Sequence, residues 1–286
     1  MTRLHVEHAG ASALVEDLGR PGLAHLGVAA SGALDRGALA LANRLVGNPD
    51  GAAALELLVG GFRARFEGEA WFAVTGAWGP VTLDARPVPP YTAARARDGA
   101  VLELGTAARG IRYVLAMRGG VEVAPVLGSR SRDTLAALGP EPLVAGQVLE
   151  LGADPAASVP VIDQDVAFPP PAGAVTLALT PGPRADWFTD AANATLFESS
   201  WRLSEQADRI GARLVGPVLE RNRTGELLSE GTVPGSMQVA GDGLPTILLA
   251  DRPVTGGYPV IAVVAPGSLD AVAQLRPGQE VRFRHA

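Results

Sequence analysis

No apolar run in this chain travels far before a glycine or a proline interrupts it. The 286 residues include 35 Gly and 23 Pro. The segments between these breakers have the length of strands: Trp71 to Thr75, Val101 to Leu104, Arg112 to Met117, Val175 to Leu179, Thr246 to Leu249, Val260 to Val264 and Glu280 to Arg284. Short aliphatic and β-branched runs bounded by turn residues read as strands, whereas a helical bundle needs longer uninterrupted periodicity. The sequence therefore predicts a mainly β fold with few helices. At 47% apolar residues the chain is too apolar to stay disordered, and it is long enough to bury one large core or two modest ones.

One helix is well signalled. Asp35 is a good N-cap, Leu34, Ala38, Leu41 and Leu45 form an apolar stripe, and Gly47-Asn48-Pro49 ends it. Short helices are also expected at Asp186 to Thr189 and Leu269 to Ala273. The stretch from Ser158 to Gly173 holds Pro160, Pro169, Pro170 and Pro171 without strand or helix periodicity, and reads as a linker. It divides the chain into an N-terminal unit over 1–157 and a C-terminal unit over 174–286. Two ordered similarities suggest that the units are duplicates. Ala42 to Asn48 resembles Gly211 to Pro217, and Arg97 to Leu104 resembles Arg276 to Phe283, the second motif recurring at Ala145 to Leu151. Two β-barrel-like units are the expectation.

Composition removes whole classes of function. The formal net charge is −6 and no basic run is present, so nucleic acid is not an expected partner. No stretch approaches the roughly 20 apolar residues that cross a bilayer, and the first residues lack the apolar core of a signal peptide. With no Cys there is no disulfide framework, and the expected location is the cytoplasm. All 24 basic residues are Arg. A chain without lysine carries no covalent biotin, forms no Schiff base and has no P-loop lysine. Of the 4 His, His5 and His8 stand in a strand three residues apart, where alternation sends them to opposite faces; no metal site is expected. His25 reads as a hydrogen-bonded loop histidine, and a Ser-His-Asp triad is not expected.

Polar residues concentrate instead among glycines, in four clusters. In Asp17 to Gly22, Arg20 either clamps a carboxylate or ureido oxygen or pins a turn with Asp17. In Leu127 to Asp133, Ser129, Arg130 and Arg132 either bind an anion or form surface pairs with Asp133 or Glu141. The third cluster runs from Ser229 to Gln238. The fourth, Asp251 to Pro259, follows an apolar strand with a carboxylate, a guanidinium, Thr255, two glycines and Tyr258. Asp251 and Arg252 would be a structural pair if this were only a hairpin. The number of polar groups here, Glu230 and Gln238 included, favours a site.

These residues also carry a resemblance. Val15 to Gly22, Gly27 to Asp35, Leu41 to Asn48, Leu127 to Ser131, Asp208 to Leu214, Ser229 to Gln238 and Leu248 to Pro259 look like successive signatures of one family. It is the biotin-dependent carboxyltransferase-like family, also called allophanate hydrolase subunit 2, which includes the C-type component of 5-oxoprolinase and the KipI antagonist KipA. The similarity runs in order from about Leu4 to Phe283. Ala240, Pro253-Val254 and Leu138 to Glu141 depart from the usual pattern.

The resemblance implies two tandem cyclophilin-like β-barrels. It further implies two partners, a KipI-like B-type component and an A-type component of different fold. Together these would open 5-oxo-L-proline to L-glutamate, with ATP used by the complex and bound mainly on the partner subunits, and with this chain inactive alone. The alternatives are a carboxyltransferase component acting on urea or a similar amide, with biotin brought by another domain, and a KipA-like regulator that binds a KipI-like inhibitor. For a small amide or lactam, Arg20 and Arg252 are assigned as oxygen or carboxylate clamps, with Ser129, Arg130 and Thr255 beside them. Gln238 and Tyr258 are assigned as orienting groups, and Glu230 or Asp251 as the proton-transfer group.

Overall fold

The computed structural model describes residues 2–156, 158–161, 169–223, 225 and 227–286. The chain forms two compact units that interleave in sequence. The first comprises Met1–Arg20, Asp35–Asp133 and Ala137–Pro170; the second comprises Pro21–Leu34, Thr134–Ala136 and Pro171–Ala286. The expected division at 158–173 is therefore incomplete, because two stretches of the N-terminal half belong to the second unit. Of that Pro-rich stretch, residues 162–168 lie outside the described residues.

In the first unit the strands hydrogen-bond as two sheets around one core. One sheet has the order Val121–Glu122, Val148–Leu151, Arg3–Ala9, Phe62–Glu67, Val101–Leu104, Val81–Leu83, Arg86–Pro87. The other runs Ser12–Glu16, Ala54–Leu58, Arg109–Met117, Ala70–Trp78, Ala93–Ala96. Alternation sends Leu4, Phe66 and Leu102 of one sheet and Val15, Phe72 and Leu115 of the other into a shared interior. Phe66 and Phe72 stack there with ring centroids 5.7 Å apart. The helix Arg36–Leu45 begins where expected, with Ala38 N–H donating to the Asp35 carboxylate at 2.8 Å. Of the expected stripe, Ala38 and Leu45 are buried and Leu41 is half-buried; Leu39, Ala42 and Asn43 complete the buried face. Leu34 packs in the core of the second unit instead.

The strand Arg3–Ala9 corrects one expectation. Its pairing with Phe62–Glu67 shifts register between Val6 and His8. The extra residue resets the alternation, so His5 stands opposite Arg65 and His8 opposite Arg63, on the same face. Their partners differ: the His5 ring meets the Glu67 carboxylate at 2.6 Å and His8 meets the Gly61 carbonyl at 2.6 Å.

The second unit is a closed barrel. Its strands follow the order Val175–Pro181, Val260–Val264, Ser236–Val239, Pro245–Leu248, Gly211–Val215, Trp201–Leu203, Glu280–His285. The last pairs with the first in parallel, Val175 opposite Val281, which leaves no edge strand. Closure directs Leu177, Trp201, Leu214, Met237, Ile247 and Phe283 into the core. The helix Asp190–Glu198 buries Ala192 and Leu196, one turn apart, and is capped by Thr189, whose hydroxyl accepts from Ala192 N–H at 3.0 Å. The helix expected just before it, at Asp186 to Thr189, is instead the single 3-10 turn Ala185–Trp187. The expected helix at Leu269–Ala273 forms.

The duplication holds at one motif and fails at the other. Gly99 and Gly278 both turn the chain into a strand, Val101–Leu104 and Glu280–His285. Ala42 to Leu45 ends a helix, whereas Gly211–Val215 is a strand. No helix of the described residues is long and apolar enough to cross a membrane.

Trp201 is fully buried, and its indole donates to the Leu196 carbonyl at 3.1 Å. Trp201→Ala is expected to destabilise the barrel by about 3–5 kcal/mol. Urea unfolding followed by circular dichroism checks this, and a loss below about 1 kcal/mol would contradict the packing described.

Candidate functional site

In the first unit the glycine turn Val126 to Ser131 closes on a carboxylate, and that carboxylate belongs to the chain itself. Asp17 accepts from Gly19 N–H at 2.7 Å, from the Ser129 and Ser131 hydroxyls at 2.6 Å each, and from Arg130 N–H at 2.6 Å. Asp17 thus takes up the Ser129 and Ser131 hydroxyls and the Arg130 amide at this turn. Arg20, 2% exposed, donates from Nε to the Val126 carbonyl at 3.3 Å and from Nη2 to the Ser131 carbonyl. Both contacts go to carbonyls of the Val126 to Ser131 turn, and neither goes to Asp17. Arg130 pairs with Glu122 at 2.6 Å, and Arg132 with Glu141 at 2.9 Å. His25 takes the expected loop role, its ring 3.1 Å from the Gly22 carbonyl.

In the second unit Asp251 is fully buried and surrounded by donors. Arg209 holds it with two guanidinium nitrogens, Nε at 2.9 Å and Nη2 at 3.2 Å. The Ser31 hydroxyl donates at 2.5 Å, and Thr134 donates from its amide at 3.0 Å and its hydroxyl at 2.7 Å. Five donors fill the four or so lone-pair positions that a carboxylate offers. Burial alone would raise the Asp251 pKa. The Arg209 charge and hydrogen bonds, with those of Ser31 and Thr134, outweigh burial and hold the carboxyl below its ordinary value. An ionised carboxylate with this many donors is poorly placed to take a proton. Its partner is Arg209, not the adjacent Arg252 expected of a hairpin pair. Arg252 turns away and donates to the Thr232 carbonyl at 3.2 Å.

Glu230 is likewise engaged, forked on Arg184 with one contact at 3.0 Å. Its short strand Glu230–Gly231 pairs with Thr255–Gly256, which leaves the Thr255 side chain exposed. Here a glycine matters: a Cβ on Gly256 would come within 2.5 Å of Gln238 Nε2. The bare backbone lets the Gln238 amide seat itself and donate to the Tyr258 carbonyl at 3.2 Å. Gln238 therefore meets the backbone of Tyr258. Both line a cleft of about 980 Å³ on the barrel, together with Arg213, Thr246 and Pro253.

Sequence reasoning missed Arg209, Thr134 and Arg184, the partners that hold Asp251 and Glu230. Arg209 lies within the Asp208-to-Leu214 motif, the one signal that pointed to it; the other two carried none.

Asp251→Asn leaves Arg209 buried without its counter-charge, and a loss of about 3–5 kcal/mol in unfolding free energy is expected. Because the native pKa is lowered, the ion pair's stability is fully present above about pH 4 and is lost as pH falls through the native value. Denaturation between pH 7 and pH 2 should show that acid-side loss in the parent and not in Asp251→Asn. Equal acid slopes in the two proteins would contradict it.

Known proteins of similar sequence and structure agree with this architecture. A family model described as carboxyltransferase domain, subdomain A and B, matches residues 26–285. The chain is 36% identical over 283 residues to the C-type component of 5-oxoprolinase from Escherichia coli (strain K12), covering 98% of this chain and 90% of that one. It is 30% identical over 309 residues to urea amidolyase of Saccharomyces cerevisiae, covering 99% of this chain and 16% of that protein. The crystal structure of TTHA0988 superposes with a TM-score of 0.89 at 38% identity; the chain is covered to 99% and spans 56% of the TTHA0988 chain. With the family model matched almost from end to end, this chain belongs to the carboxyltransferase-domain family, subdomains A and B.

Proposed function

We propose that this chain is the C-type component of an ATP-dependent 5-oxoprolinase, which opens 5-oxo-L-proline to L-glutamate. The observation that carries this reading is the end-to-end correspondence with the C-type component of the E. coli 5-oxoprolinase, over 98% of one chain and 90% of the other. A urea-directed carboxyltransferase is the second reading, favoured by the similarity to urea amidolyase, of which this chain corresponds to 16%. That activity would need biotin on another domain, because this chain has no lysine to carry it. A KipA-like role would bind a KipI-like inhibitor without chemistry.

Lactam opening adds one water at the ring carbonyl carbon and breaks the C–N bond, the nitrogen leaving as the amine of glutamate. A second water is consumed as ATP becomes ADP and phosphate. In this chain Gln238 and Tyr258 are the groups placed to meet the substrate. Asp251 and Glu230 are held by Arg209 and Arg184, so the proton-transfer groups are assigned to the KipI-like B-type and the A-type partners. ATP is assigned there too, since a chain without lysine lacks the residue with which P-loop proteins reach nucleotide phosphates. The complex is placed in the cytoplasm, where ATP is supplied.

Purified alone, the chain is expected to release no glutamate from 5-oxo-L-proline. Mixed with its A- and B-type partners and ATP, it should give glutamate and ADP in equal amounts. Full activity of the partners without this chain, or none with it, would contradict the proposal. Urea-dependent use of carboxybiotin in the same assay would favour the second reading.

A further inference from the structure

The outer face of the closed barrel carries a line of polar side chains that strand pairing sets in register. Arg213 lies opposite Thr246, and Thr246 lies opposite Gln238. Ser204 extends the line, its amide donating to the Arg213 carbonyl at 2.9 Å. The residues that alternate with these, Leu203, Leu214, Ala212, Met237, Val239 and Ile247, are in the core. Alternation therefore turns the row away from the core, with Arg213 exposed, Ser204 and Thr246 half-buried, and Gln238 buried at 8% exposure. All four row residues line the same cleft. With strands about 4.8 Å apart, Arg213 and Gln238 stand on the order of 10 Å from each other with Thr246 between. A Cβ on Gly211 would come within 2.8 Å of the Thr246 methyl, so glycine there leaves the middle of the row its room.

The row has unused capacity. Among the described residues, the Arg213 guanidinium makes no hydrogen bond or ion pair. The Tyr258 carbonyl requires an N–H from Gln238, which fixes the orientation of that amide. A primary amide has two N–H donors and an accepting oxygen, so one N–H and Oε1 are left facing other partners. Three acidic residues line the cleft: Glu205 is exposed, while Asp208 accepts from the Ile210 and Gly211 amides at 2.8 and 2.9 Å, and Asp242 from the Leu244 amide at 3.0 Å. Those two charges are committed to their own loops.

A ring amide presents its C=O and N–H side by side, which complements the donor and acceptor of a carboxamide. A carboxylate complements the guanidinium fork. We propose that the row Ser204–Arg213–Thr246–Gln238 is the binding site for a small acid that carries a lactam, with Arg213 on the carboxylate and Gln238 on the ring amide. Thr246 offers a hydroxyl between them. This rests on the 5-oxoprolinase reading and deepens it: Arg213 becomes the residue that selects an acidic lactam over a neutral amide such as urea.

The test measures binding of 5-oxo-L-proline, of 2-pyrrolidinone (the same ring without the carboxylate) and of urea, by isothermal titration calorimetry. It uses the full chain, alone and in complex with its partner subunits, as parent, Arg213→Gln, Gln238→Ala and Arg282→Gln. Arg213 is exposed, so its loss leaves the fold intact; Arg282 is an exposed control outside the cleft. In the parent, 5-oxo-L-proline should bind about ten- to hundred-fold tighter than 2-pyrrolidinone. Arg213→Gln should erase that difference while sparing 2-pyrrolidinone, Gln238→Ala should weaken both lactams, and Arg282→Gln should change neither. Equal binding of acid and neutral lactam, an Arg213→Gln variant that keeps the preference, or no binding in any form overturns the site. A complex that makes glutamate with KM unmoved by Arg213→Gln overturns this inference alone. Selective acid binding in a complex that makes no glutamate overturns the 5-oxoprolinase reading alone.

Discussion

The second unit depends on one buried carboxylate. Asp251 ties together four pieces of chain that lie far apart in sequence: the Ser31 turn, Thr134, Arg209 and its own strand end. Arg209 adds a second tie to the first of these, donating to the Gly32 carbonyl at 2.7 Å. Ser31 meets Asp251 from a left-handed backbone, φ 54°, a conformation that a non-glycine residue holds only when its surroundings impose it. A buried ion pair adds little net stability over a packed apolar alternative, but removing one member is expensive. Its effect is to specify which segments join the barrel. That accounts for two stretches of the N-terminal half, Pro21–Leu34 and Thr134–Ala136, grouping with the C-terminal residues.

Closing the barrel has a chemical consequence. With the interior filled by Trp201, Met237, Ile247 and Phe283, no ligand can enter it, so any recognition on this unit falls to the outward-facing residues. Pairing then decides which of these become neighbours, and it aligns a guanidinium, a hydroxyl and a carboxamide across three adjacent strands. The carboxylates that sequence would enlist for catalysis have their charges matched within the fold, Asp251 by Arg209 and Glu230 by Arg184. Under the proposed function, this surface holds and orients the substrate and proton transfer falls to the partner subunits.

Local signals in the sequence were faithful. The Asp35 cap and the Gly47 stop bound the helix Arg36–Leu45, and the glycine-bounded runs became strands close to their expected limits. Features set by pairing were not legible. The bulge after Val6 placed His5 and His8 on one face, and a β-bulge has no reliable mark in a single strand's sequence. The helix Asp190–Glu198 was missed because only Ala192 and Leu196 are buried, too few to make an apolar stripe. Ala42 to Asn48 and Gly211 to Pro217 look alike yet fold as helix end and strand, since the capping residue and the neighbouring strands decide the conformation. Glycine turns mark Gln238 and Tyr258 in the sequence, and both line the barrel's cleft. Arg213 and Thr246 sit in ordinary alternating strands, and only the register reveals them as neighbours of Gln238.

A crystal structure of the chain soaked with 5-oxo-L-proline tests this account most directly. It predicts density for the ligand in the barrel's outer cleft, carboxylate on the Arg213 guanidinium and ring amide on Gln238. Ligand bound elsewhere, with Arg213 and Gln238 bare, would contradict it.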